Sequence, residues 1–227
     1  LMGKFRKRVG KDGFDKMLEA SVDAAMKTAT ISKSDLQVVN VDTTVLEKAI
    51  TFPTDAKLYH KMRIKLVAEA RRLNLKLRQT YLRKGKVALI MVGRYAHARQ
   101  MKRSNKSLRG VKTMFGRVLR DVERKARAAD IQDQNLTALI ELAHRLFKQK
   151  RDDKNKIYSL HAPEVECIAK GKSHKKYEFG CKVSFVTSSK GNFFLSAQAL
   201  HGNPFDGHTL KDALADAQKH IPQKKNK

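Results

Sequence analysis

The proline-free stretch from Ala56 to Lys156 limits what this 227-residue chain can fold into more than any other feature. It carries 29 lysines and arginines against 8 acidic residues, and its apolar residues recur every three or four positions. One such series consists of Leu108, Val111, Phe115, Val118 and Val122. This spacing is typical of amphipathic helices. The stretch therefore predicts a bundle of three or four helices with strongly basic outer faces.

The sequence on either side of this stretch has the patterns of strands. Residues 36–41 form a short apolar, β-branched run typical of a buried strand. Over 177–185 apolar and polar residues alternate, which predicts a strand whose buried face carries Cys181, Val183 and Phe185. A turn at 188–192 and an apolar run at 193–200 complete a hairpin, and a helix is predicted over 209–221. The fold class is therefore mixed α/β, of the α+β kind.

The predicted sheet has too few neighbouring elements to be covered on both faces. It therefore looks incomplete, with an exposed edge and an uncovered apolar face. Such a surface favours aggregation of the isolated chain.

The charge of the whole chain is +27, which points to a polyanionic partner, and nucleic acid is the commonest large one. No acidic residue lies between Glu69 and Asp121. Basic side chains at this density would neutralise phosphates with salt-dependent, largely sequence-independent affinity. The predicted DNA-contacting residues here are Arg94, Arg99, Lys102, Arg103, Lys106, Arg109 and Lys112. Structured RNA remains the alternative partner, although the aromatic motif of RNA-recognition domains is absent.

The cysteines and the apolar runs of the sequence predict the cellular compartment of the protein. Two cysteines, Cys167 and Cys181, fit a reducing compartment, and they lack zinc-site spacing with His161 and His174. The longest apolar run, from Val87 to Val92, is far shorter than the roughly 20 residues that span a bilayer. No secretory signal is recognisable. We therefore expect a cytoplasmic, nucleoid-associated protein with no membrane partner.

Two aspartates are candidate metal ligands. Asp42 directly follows the first apolar run, where α/β folds place metal-binding carboxylates, or it simply forms a turn with Thr44. Asp206 precedes the last predicted helix and is either a second carboxylate of a two-metal site or a helix cap, and we favour the cap.

The segment 169–174 ends like a phosphate-binding loop but has Glu166 where that motif requires glycine. Lys170 and Lys172 are therefore interpreted as part of a phosphate-contacting patch.

Four blocks of the sequence resemble the DDE transposases of bacterial insertion sequences, in the branch with a long helical insertion after the first catalytic strand. These blocks are residues 39–62, 86–109, 158–184 and 199–210. The resemblance implies a ribonuclease H-like catalytic fold, a Mg²⁺ pair held by two Asp and one Glu, and double-stranded transposon ends as substrate. It places Asp42 as the first catalytic carboxylate and metal ligand.

The resemblance also implies a domain division. Residues 1–34 correspond to the end of an N-terminal helical DNA-binding region. Residues 35–54 and 157–227 correspond to a partial ribonuclease H-like domain, and 55–156 correspond to the basic helical insertion.

The second Asp and the Glu of the family find no counterpart, and Asp206 matches a family loop instead. The chain is thus expected to be a truncated copy that does not cleave DNA alone. It would form a homo-oligomer or a mixed assembly with a full-length relative. The alternative is a non-catalytic basic DNA- or RNA-binding protein.

Overall fold

A computed structural model describes residues 2–169 and 175–221 of the chain. The fold is α+β. In chain order the elements are α1 (Met2–Lys27), β1 (Val39–Glu47), α2 (Asp55–Arg72), α3 (Leu82–His97), α4 (Met101–Ala128), α5 (Gln134–Lys148), β2 (Glu166–Ile168), β3 (Glu178–Ser188), β4 (Phe194–Leu200) and α6 (Asp206–His220). They form two compact units: the sheet unit, residues 1–48 and 167–227, and the helical unit, residues 49–166.

The helical unit contains α2 to α5 around one apolar core. Two of its helices, α2 and α5, begin at capping side chains: the Thr54 hydroxyl accepts a hydrogen bond from the Lys57 amide at 3.3 Å, and the Asp133 carboxylate accepts one from the Leu136 amide at 2.8 Å. Phe115 of α4 is fully buried and stacks on Tyr59 of α2, with ring centroids 5.7 Å apart. The other fully buried large side chains of this core include Met62, Leu66, Val122 and Leu146.

The edges of the helical unit differ from those expected from the sequence. Residues 49–54 and 157–166 lie in this unit rather than with the sheet, because Ile157 and Leu160 are buried in the helical core. Residues 1–34 likewise lie in the sheet unit rather than in a separate region. Val22 and Ala25 of α1 share a buried cluster there with Val186 and Ala213.

The sheet unit contains a four-stranded sheet built around β3. β3 pairs antiparallel with β1 on one side, with Asp42 opposite Phe185 and Thr43 opposite Ser184. On its other side β3 pairs antiparallel with β4. Helix α6 contacts all three of these strands, and α1 contacts α6 and β4. Both helices contribute to the buried apolar cluster that contains Val186 of β3.

The prediction that the apolar residues of β3 form its buried face is wrong. Lys182 and Ser184 are buried, whereas Cys181, Val183 and Phe185 are only half-buried. The reason is that α6 lies on this side of the sheet and supplies partners to Lys182 and Ser196, whereas the buried Ser184 hydroxyl has no hydrogen-bond partner in the described residues. The Lys182 ammonium pairs with Asp206, and the Ser196 hydroxyl of β4 donates to Asp216 at 2.6 Å.

Candidate nucleic-acid interface

Helix α4 presents two chemically opposite faces. One face is buried in the core of the helical unit through Val111, Phe115, Val118 and Val122. On the opposite side, seven of the eight basic residues from Lys102 to Arg124 fall within a sector of about 120°, since successive helical residues are about 100° apart. We call this set the α4 basic stripe: Lys102, Arg103, Lys106, Arg109, Arg117, Arg120 and Arg124. At about 1.5 Å per residue the stripe extends about 33 Å, which is close to one turn of B-DNA.

Most of the charge at the start of the stripe is uncompensated. In the part of the chain that the structure describes, no ion pair involves Lys102, Lys106 or Arg109, and all three are solvent-accessible. Arg103 donates to the Gln100 side-chain oxygen at 3.1 Å and lies 5.9 Å from the centre of the Tyr95 ring. Neither contact neutralises its charge, so this end of α4 carries a strong positive potential.

Two further predicted residues directly precede the stripe. Arg94 lies in the last turn of α3, and Arg99 lies in the connection to α4 with a left-handed backbone (φ 56°). The Ser104 hydroxyl donates to the Val92 carbonyl at 3.1 Å, which fixes the start of α4 against α3. Arg94 and Arg99 are exposed and extend the basic surface beyond the first turn of α4.

Lys112 lies apart from the stripe. Its ammonium lies 5.5 Å from the centre of the Tyr59 ring and 4.9 Å from that of Phe147, so it makes cation–π contacts at the edge of the core. Lys170 and Lys172, also expected to contact phosphate, lie outside the described residues. The structure thus places four of these seven predicted residues in the α4 basic stripe, places Arg94 and Arg99 directly before it, and separates Lys112.

Asp42 lies inside β1, not at its end, because the strand continues to Glu47. β1 is also an edge strand, since in the described residues it pairs with β3 alone. The Asp42 side chain is exposed, and its Oδ1 accepts a hydrogen bond from the Thr43 amide at 2.8 Å. Its neighbours across the sheet are Phe185 and Ala197, on the half-buried apolar face.

Asp206 is positioned on the opposite face of the sheet. Its Oδ1 accepts a hydrogen bond from the Thr43 hydroxyl at 2.9 Å and lies 2.7 Å from the Lys182 ammonium. Because successive side chains of a strand point to opposite faces, Asp42 and Thr43 face apart. The structure therefore does not bring Asp42 and Asp206 together. Asp206 does not cap α6 as predicted, because Phe205 is the N-cap and no side chain of the described residues caps the helix. Asp206 is the first helical residue, where a carboxylate interacts favourably with the helix dipole.

The described residues do not fit a pair of Mg²⁺ ions. Two such ions need several oxygen ligands, whereas no group of three His, Cys, Asp or Glu side chains within residues 2–169 and 175–221 is arranged to hold a metal. Asp206, which accepts a hydrogen bond from Thr43 on the covered face, is paired with an ammonium group. We therefore derive no metal-dependent step from these residues.

Two features of the site are missing from the residues predicted above. Lys182 occupies a position that period-two alternation assigns to the solvent face, so nothing local marks it as buried. Arg117, Arg120 and Arg124 continue the stripe at steps of three and four, which is a signal that helical periodicity can reveal.

Comparisons with known proteins give little further information on function. No protein-family profile matches the chain, and no solved structure matches it. The chain is similar to the "Uncharacterized protein ORF8 in nfe locus" of Rhizobium meliloti, with 48% identity over 99 residues. The match covers 44% of this chain and 48% of that protein, so the chain spans about half the length of the protein it matches. In the described ranges, none of the helices has the length and apolar content needed to cross a membrane.

Proposed function

We propose that this chain binds double-stranded DNA through the α4 basic stripe, as the DNA-holding part of a protein related to DDE transposases. The observation that carries the proposal is the placement of seven basic residues in one sector of α4, directly opposite its buried face. The core holds this helix through Phe115 and Val118, so the stripe is presented as a rigid row rather than as a flexible tail. A row of this length matches the phosphates along about one turn of duplex.

The expected mode of binding is contact with the DNA backbone. Each neutralised phosphate releases condensed counterions, so the logarithm of affinity falls with the logarithm of salt concentration by about 0.9 per contact. Six or more contacts would weaken binding about a thousandfold between 50 and 200 mM salt. Phosphate contacts carry no sequence information by themselves, so binding through the stripe is expected to tolerate many sequences.

The transposase relationship rests on the sequence blocks and on the order of elements in the sheet unit. Asp42 lies on the first strand, and two antiparallel strands and a helix follow, which is the beginning expected of a ribonuclease H-like domain. Strand cleavage is not proposed, because the described residues contain no group of three His, Cys, Asp or Glu side chains that could hold a metal, and Asp206 bonds to Thr43 on the other face of the sheet from Asp42.

The test is fluorescence anisotropy with a labelled 30-base-pair duplex, measured over a series of salt concentrations. The variant K102Q/K106Q/R109Q removes three charges from the stripe. We measure the slope of log affinity against log salt concentration. We expect this slope to be smaller in magnitude by about two to three for the variant than for the unmodified chain. The matched control K16Q/K33Q/K211Q removes three exposed charges from the sheet unit and is expected to leave the slope nearly unchanged.

Equal slopes for the two triple variants would contradict the proposal. The removal of any three charges would then have the same effect, wherever they lie in the chain. A structured RNA hairpin as competitor distinguishes the partners. Displacement of the duplex by the hairpin at lower concentration than by unlabelled duplex would favour RNA and also contradict the assignment to DNA.

A further inference from the structure

A concave cluster of arginines lies beside the second half of α4, within the helical unit. Its cavity has a volume of about 380 Å³, in the range of about 300–1,000 Å³ found for small-ligand sites. We call it the arginine pocket, and it is lined by Arg78, Gln79, Tyr81, Arg117, Arg120, Asp121 and Arg124. The four arginines are exposed, and Asp121 is the one acidic residue among them.

Asp121 holds the walls of the pocket together. Its Oδ2 accepts a hydrogen bond from the Arg78 backbone amide at 2.8 Å, which fixes the connection between α2 and α3 against α4. Its Oδ1 pairs with Arg124, one turn further along the same helix. The carboxylate is therefore used within the protein. It leaves the guanidinium groups of Arg78, Arg117 and Arg120 without a carboxylate partner in the described part of the chain.

Tyr81 forms another wall of the pocket in a costly conformation. It precedes α3 with a left-handed backbone (φ 53°, ψ 33°), a conformation that is strained for a residue other than glycine. Its ring packs against the core of the helical unit, and its hydroxyl accepts a hydrogen bond from Arg117 at 3.4 Å. The packing that enforces this conformation keeps the hydroxyl and Arg117 together at the rim.

We propose that the arginine pocket binds a phosphate group. Guanidinium groups present paired donors that match the oxygens of a phosphate, and several of them converge here around a concavity. Four arginines and one aspartate leave a net charge of about +3, which an anion with more than one negative charge would offset. The proposal rests in part on the proposed function, because Arg117, Arg120 and Arg124 also form the end of the α4 basic stripe.

Two sources supply such a group: the backbone of a bound nucleic acid, and a free nucleotide polyphosphate. The site is therefore first tested with inorganic pyrophosphate, by isothermal titration calorimetry on the full chain at fixed ionic strength. We expect one binding event for the unmodified chain and at least tenfold weaker binding for R117Q/R120Q. The variant K16Q/K211Q removes two exposed charges from the sheet unit and is expected to bind within twofold of the unmodified chain.

A second variant separates geometry from charge. R117K/R120K keeps both charges but loses the paired donors, so we expect severalfold weaker pyrophosphate binding without a change in helical circular dichroism. The proposal is overturned if R117Q/R120Q binds pyrophosphate as tightly as the unmodified chain, or if K16Q/K211Q weakens binding equally.

Competition experiments identify the source of the bound phosphate group. They also distinguish a failure of the α4 basic stripe proposal from a failure of the arginine pocket proposal. Displacement of pyrophosphate by duplex DNA assigns the site to the nucleic-acid backbone, and displacement by a nucleoside triphosphate alone assigns it to a free nucleotide. Either result supports a phosphate site. The variant K102Q/K106Q/R109Q is expected to retain pyrophosphate binding while losing DNA affinity, so failure of the stripe and failure of the pocket give different results.

Discussion

The ammonium of Lys182 lies 2.7 Å from Oδ1 of Asp206 and joins the central strand of the sheet to the start of α6. Only 5% of the Lys182 side chain is exposed, whereas 64% of the Asp206 side chain is. The ammonium also donates to the Asn203 side-chain oxygen at 3.2 Å and to the Pro204 carbonyl at 2.6 Å. The lysine is thus a buried cation surrounded by three oxygen acceptors, and in the described part of the chain the aspartate is its one anionic partner.

This asymmetry predicts that the two partners differ in how much their loss destabilises the chain. D206A leaves the buried ammonium without its anion, so we expect a loss of about 2–3 kcal/mol in the free energy of unfolding. K182M leaves an aspartate that water can solvate, and we expect a loss of about 1 kcal/mol or less. Urea denaturation followed by circular dichroism measures both values, and a larger loss for K182M than for D206A would contradict this account.

Asp216 predicts a pH dependence of stability. Burial alone would raise the pKa of its carboxyl, but hydrogen bonds from Ser196 and Lys219 outweigh burial and hold the pKa below its ordinary value. A carboxyl with a lowered pKa in the folded state stabilises the fold above its unfolded pKa, near 3.9, and this stabilisation is lost as pH falls through the folded pKa. The stability difference between the unmodified chain and D216N should therefore shrink below about pH 4. Urea titrations from pH 3 to 7 test this, and a constant difference would refute it.

Gly180 is expected to tolerate no side chain. A Cβ there would lie 2.1 Å from the backbone oxygen of Leu46, where β3 passes β1. Because the obstacle is backbone, the strands would have to separate locally, and G180A should destabilise the chain by about 2 kcal/mol or more. Thermal denaturation of the variant provides the measurement, and an unchanged melting temperature would show that β1 is not held in this register.

Gly93 is expected to show the opposite effect. It lies inside α3, and a Cβ there would meet no atom within 4 Å. Alanine in a helix interior is about 0.5–1 kcal/mol more favourable than glycine, so G93A should stabilise the helical unit by about that amount. The same thermal denaturation reports it. A destabilised G93A would indicate that the α3 surface is covered in solution.

Asp42 is expected to contribute little to stability or to DNA cleavage by this chain. Its side chain is exposed, so D42N should change the free energy of unfolding by no more than about 0.5 kcal/mol. We also expect no Mg²⁺-dependent nicking of duplex DNA by the chain, because Asp206 lies on the other face of the sheet. A nicking assay on supercoiled plasmid tests this, and nicking that D42N abolishes would contradict it.

Periodicity predicts the helical part of the fold well. The core of α4 is found at Val111, Phe115, Val118 and Val122, the positions that the spacing of apolar residues predicts. The reason is local: a helix with one apolar stripe has one way to bury it, and neighbouring helices of the same kind supply the partner surface. The basic stripe can be predicted from the same periodicity, because residues three and four positions apart lie on one face of a helix.

The sheet shows where local patterns fail. Alternation along β3 correctly predicts two different faces, but which face α6 covers depends on long-range partners: Asp206 for Lys182, and Asp216 for Ser196. The apolar run at 36–41 likewise predicts a strand but not its extension through Asp42 to Glu47, which pairing with β3 stabilises.

The sequence by itself thus determined the amphipathic helices, the strand-forming segments and the basic surface, because each depends on neighbours within a few positions. The tertiary structure alone decided which side of the sheet is covered, that Asp42 and Asp206 face apart, and that Arg78 joins Arg117, Arg120 and Arg124 around one cavity. Those relationships join residues far apart in the chain. They are settled by whether buried charges and hydrogen-bonding groups find partners once the chain is packed.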